Sequence, residues 1–141
     1  MAEQLFQTFT AGGGNKQLVA RHTPLATRPV LLDNAINAPL KSGAVLFAAT
    51  VAGPFALATT GTLPAATDVV AILAHDIDLT GAAADVLANG YVGPGEFSKE
   101  VVLAASAALD APSILAVEEA LLSRGMNLVH LVYGSNSESA V

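Results

Sequence analysis

Between Gly43 and Phe97 the chain is a series of short apolar segments set in glycine turns, with few reactive side chains. It reads Gly43-Ala44-Val45-Leu46-Phe47, Gly53-Pro54-Phe55-Ala56-Leu57, Val69 to Ala74, then Gly90-Tyr91-Val92-Gly93-Pro94-Gly95-Glu96-Phe97. Such segments, punctuated by glycine and proline, predict strands joined by tight turns. Val69 to Ala74 is continuously apolar, which predicts the longest and central strand. Asp76, Asp78 and Thr80-Gly81 end it, and Ala82 to Asn89 reads as either a strand or a short alanine-rich helix. Strands this short and this poor in chemistry build a surface rather than an active site.

The helical signals come later. Val101-Val102-Leu103 suits a strand, whereas Ala104 to Leu109 suits a helix or a close-packed segment. Asp110 or Ser113 then caps a helix, with Pro112 in its first turn. Ile114, Val117 and Leu121 share its apolar face, and Leu115 and Leu122 lie beside them. Arg124 suits the negative end, and Gly125 supplies a left-handed stop. Leu128 to Tyr133 predicts a last strand. The resulting fold class is mainly β with one or two short helices, an α+β body.

At 141 residues the chain has the length of one domain. Three parts are expected: an extended N-terminal arm over 1–28, a β-rich body over 29–134 and a polar tail over 135–141. The arm holds a short strand-like run, Leu5-Phe6-Gln7-Thr8-Phe9, then Gly12-Gly13-Gly14, with Pro24 and Pro29 opposing a helix. Fully extended, it would reach about 90 Å.

Composition removes several function classes. No cysteine is present, so disulfides, thiolate metal sites and a cysteine nucleophile are excluded. Charged residues make up only 13%, and from Ser42 to Thr67 none occurs. That span is long enough to cross a bilayer, but Gly43, Gly53-Pro54, Gly61 and Pro64 would break the required helix. Met1-Ala2-Glu3-Gln4 lacks the opening of a signal peptide, so a soluble protein made in a bacterial-type cytoplasm is expected. Lys16, Arg21, Arg28 and Lys41 stand in the first 41 residues against Glu3 and Asp33, whereas Lys99 and Arg124 face ten acids afterwards. An acidic body without a basic stripe opposes direct nucleic-acid binding.

His75-Asp76-Ile77-Asp78 is the cluster that most resembles a site. Strand alternation would point His75 and Ile77 one way and both aspartates the other, which leaves too few ligands for a metal. His22 and His130 have no nucleophile at a recognisable spacing, and no Gly-x-Ser-x-Gly turn exists. Gly12-Gly13-Gly14-Asn15-Lys16 lacks the ending of a phosphate loop, and Pro94 removes an amide from the other glycine cluster. No catalytic, cofactor or metal residues are therefore assigned, and no enzyme activity is expected.

Taken in order, several segments resemble the lambda-type bacteriophage head decoration proteins. They are Leu40-Lys41-Ser42-Gly43-Ala44-Val45-Leu46, Ala71 to Asp78, Gly90 to Phe97, and Ile114 to Leu128 with its Leu-Leu-Ser-Arg-Gly-Met-Asn-Leu ending. Thr27-Arg28-Pro29-Val30 resembles the passage from arm to body. The likeness spans roughly residues 27–133, and the long segment before Thr27 and the alanine-rich Val101 to Leu109 depart from it. The resemblance implies a β-clip-like body and a homotrimer on the outer surface of the expanded capsid of a virion. It further implies an arm bound to the major capsid protein. Leu5, Phe6 and Phe9 would fill pockets there, and Lys16, Arg21 and Arg28 would meet acidic groups. A β-rich accessory or binding domain of a phage tail or adhesion structure is the alternative.

Overall fold

A five-stranded antiparallel sheet with a different apolar cluster on each face organises the protein. The computed structural model describes residues 18–19, 27–106 and 109–130. In chain order these hold β1 (Thr27–Leu32), a 3-10 turn (Asn34–Ile36), β2 (Pro39–Leu40), β3 (Val45–Ala48) and β4 (Ala56–Leu57). There follow β5 (Val69–Leu73), β6 (Ile77–Asp78), β7 (Val86–Tyr91), β8 (Gly95–Ser98), α1 (Lys99–Ala105), α2 (Ala111–Leu122) and β9 (Met126–Val129). The central sheet runs β1-β7-β5-β3-β4, while β2 with β6 and β8 with β9 form two-stranded sheets, the latter parallel. The protein is thus mainly β, as the sequence predicts, and of the one or two short helices expected it has two.

Side-chain alternation sorts the core. Leu46, Ala48, Ala71, Leu73, Ala88, Val30 and Leu32 meet Leu40, Phe55 and Leu79 on one face. Val45, Val70 and Ile72 meet Phe97, Val102, Val117, Leu121 and Met126 on the other. A slip of one residue in any strand would exchange its two sets, so the register is strongly specified. β5 is central and buried on both faces, which is why its sequence is continuously apolar. It is not the longest strand, because β1 and β7 have six residues each and β5 has five.

The open local readings resolve through caps and turns. Ala82 to Asp85 is a loop and Val86 starts a strand, with Asp85 Oδ1 accepting the Asn34 amide at 2.9 Å. Residues 99–105 are helical, not a strand at Val101-Val102-Leu103. Ser98 has extended backbone at the N-cap, and its Oγ accepts from the Val101 amide. Asp110 caps α2, its Oδ1 accepting the Ser113 amide at 3.0 Å. Val117 and Leu121 are buried and Ile114 half-buried, but Leu115 and Leu122 are exposed rather than part of the apolar face. At 100° per residue they lie on the side of the helix away from Val117.

Gly125 ends this unit at φ +79, so tightly against Pro94 that a Cβ there would stand 3.1 Å from the proline ring. The last strand begins at Met126 rather than Leu128, because that turn delivers the chain directly alongside Gly95. Leu131 to Tyr133 and the polar tail lie outside the described residues. The uncharged run 42–67 forms β3, β4 and loops. No helix among the described residues is long and apolar enough to cross a membrane.

Candidate interaction surface

Leu5, Phe6, Phe9, Lys16 and Arg21 lie outside the described residues, as does His22. Arg28 is exposed on β1 opposite Gly90. Leu18 and Val19, from the segment read as an arm, lie on the body. The Leu18 carbonyl accepts the Ser98 amide at 2.7 Å, and Val19 pairs antiparallel with Phe97. Both pack against the Phe97 cluster, where the Tyr91 ring also lies 5.4 Å from that of Phe97. A short apolar run, Leu18-Val19-Ala20, is the sequence signal for this contact.

The outer edge of β1 is closed to strand addition along much of its length. The Leu31 carbonyl accepts the Phe55 amide at 2.7 Å, and the Asp33 amide donates to the Phe55 carbonyl at 2.9 Å. Pro29, two residues before Leu31, faces the same edge and has no N–H to offer. This arrangement blunts an edge that would otherwise be a template for another chain.

His75 and its neighbours act as turn residues. The chain bends after β5, so the predicted strand alternation does not extend across them. His75 Nε2 accepts the Asn89 amide at 3.1 Å, taking the place of a backbone carbonyl where the β5–β7 ladder stops. Asp76 Oδ1 accepts the Ser42 amide at 2.8 Å, and Asp78 Oδ1 accepts the Thr80 amide at 2.9 Å. Hydrogen bonds from the Thr80 side chain and backbone hold the Asp78 carboxyl below its ordinary value, because they favour the ionised form. Ser113 acts in the same way on Asp110. His130 follows β9, its Nδ1 3.7 Å from Glu100 Oε2. Among the described residues no three groups of metal-binding type come together.

On the Phe97 side, residues 60–68 run along α2 as a strap tied at both ends. The Asp110 amide donates to Thr60 Oγ1 at 2.9 Å, and Arg124 Nη2 donates to the carbonyls of Ala66 and Asp68. Arg124 follows the last turn of α2 and its guanidinium holds the strap. Between the ties is an open groove of about 440 Å³, walled by Pro64, Ala65 and Ala66 and by Ala116, Glu119 and Ala120, with Val70 beneath. Arg124 Nε is enclosed at this groove without an acceptor among the described residues. Sequence reasoning missed this flank, although the seven-residue spacing of Leu115 and Leu122 is the signal for a second helical face.

Comparison with protein-family models, curated proteins and solved structures finds no match to this chain.

Proposed function

We propose that this protein is a head decoration, or cement, protein. It binds the outer surface of an expanded phage capsid as trimers and stabilises the shell against the pressure of packaged DNA. The resemblance in segment order supports this reading, and one structural observation carries it furthest. Asp33, Asp68, Asp76, Asp78, Asp85 and Asp110 each accept a main-chain amide, so these carboxylates hold turns and caps rather than being poised for chemistry. A body built this way works through shape.

The arm supplies the grip. Its predicted strand Leu5-Phe6-Gln7-Thr8-Phe9 adds to an exposed edge of the major capsid protein, and Lys16, Arg21 and Arg28 meet acidic groups there. Three arms on one trimer act together, so a modest single contact becomes tight. The β-clip-like architecture belongs to this same proposal.

Deletion of residues 1–17 tests the reading while keeping the Leu18–Val19 rung and β1. The shortened protein is expected to stay folded and to leave expanded heads bare in negative-stain images. Coating at normal occupancy would overturn the proposal, and binding to purified tails instead of heads would favour the accessory-domain alternative.

A further inference from the structure

We propose that the flank formed by α2 and the strap 60–68 is the surface through which one copy of this chain packs on another. It rests on the decoration reading only for the order of the assembly, a closed trimer. Of the five large hydrophobic side chains exposed among the described residues, Leu63, Leu115 and Leu122 belong to this flank. Leu63 precedes Pro64 on the strap wall of the groove, and Leu115 precedes Ala116 on the helix wall. The floor and walls between them are alanine, proline and valine, which let a neighbouring chain approach closely.

Charge selects a second copy as the occupant. Among the described residues Arg28, Lys41, Lys99 and Arg124 stand against ten acids, so two bodies repel over most orientations. Residues 60–67 of the strap belong to the run 42–67, which has no charged side chain, and Asp68 at its end turns its carboxylate back onto the Ala65 amide. On α2 Glu118 is paired with Lys99 at 3.2 Å and is not among the residues lining the groove, where Glu119 is the carboxylate. Arg124 lines the end of the same groove, a half-buried positive charge opposite in sign to a neighbour's carboxylates. This flank is therefore where two acidic copies meet with the least repulsion and the most apolar surface to remove from water.

Sedimentation equilibrium of the full chain, from micromolar to millimolar concentration, tests this. Wild type is expected to associate into a closed oligomer. Leu115→Glu and Leu63→Glu are expected to weaken association about thirtyfold or more, as loss of a central apolar contact does. Both side chains are exposed, so circular dichroism should show unchanged folds. Leu87→Glu is the control, since Leu87 is 67% exposed on β7 against 66% for Leu115. A wild type monomeric throughout, or association unaltered by both flank variants, or association broken by Leu87→Glu alone, would overturn the interface. Coating of heads is read separately. A wild-type oligomer that the flank variants disrupt but that ignores expanded heads supports the interface and sinks the decoration reading. A protein that coats heads yet never associates does the reverse.

Discussion

On the Phe55 side of the sheet, Asp33, Asp76, Asp78 and Asp85 stand within the turns and each accepts a main-chain amide. On the Phe97 side, the strap carries no charge from Thr60 to Thr67, ends on Asp68, and is held by the ends of α2. The first arrangement holds turns through carboxylates and keeps the surface acidic. The second also has carboxylates on amides, at Asp68 and Asp110, but adds a hydroxyl and a guanidinium at two distant points and leaves between them a groove lined largely by alanine. Under the proposed interface, the first side disfavours association and the second permits it.

Removing the aromatic anchors tests the comparison hardest. Phe55→Ala and Phe97→Ala should each cost about 3–5 kcal/mol, because both side chains are fully buried. Urea unfolding should show one transition in each variant, since β3, β5 and β7 line both clusters. Two separated transitions would mean that the faces fold independently. Next, Arg124→Ala should cost about 1.5 kcal/mol or more through loss of charge-assisted bonds to the strap. Hydrogen exchange should accelerate over residues 60–68 and remain slow in the turns of the Phe55 side.

Two glycines sharpen the contrast at smaller scale. Gly125 and Gly81 both have positive φ, but a Cβ on Gly81 would meet nothing within 4 Å. Gly81→Ala should cost about 1 kcal/mol of backbone strain, and Gly125→Ala more, because Pro94 crowds the added methyl. Equal thermal shifts would show that Pro94 yields freely.

Acid gives the smallest effect. The carboxyls of Asp78 and Asp110, one on each side, are held below the ordinary value of 3.8 by hydrogen bonds to their ionised forms. Their folded-state values are depressed, so this stabilisation is present above 3.8 and is lost as the pH falls through the lower folded values. Asp78→Asn and Asp110→Asn should flatten the acid limb of stability measured by urea midpoint. An unchanged limb in both variants would remove these two groups from the account.

Local chemistry was the legible part. The apolar run Val69 to Leu73 shows a strand buried on both faces, Asp110 with Pro112 announces the start of α2, and Gly125 announces its stop. Segments satisfied by either structure were not legible. Val101-Val102-Leu103 has strand propensity, and only the Ser98 cap and the placing of Val102 against the Phe97 cluster made it helical. The contacts expected of Leu5, Phe6, Phe9, Lys16 and Arg21 fall on residues outside those described.

By itself, then, the sequence determined the class of body, mainly β with one or two short helices, because alternation, caps and turn residues act over a few positions. It also determined that a long surface segment carries no charge. Tertiary structure alone decided where the end of that segment, residues 60–67, lies: along α2, tied by Thr60 and Arg124 across fifty or more residues. Such contacts depend on how the sheet folds back on itself, and local propensity does not encode them.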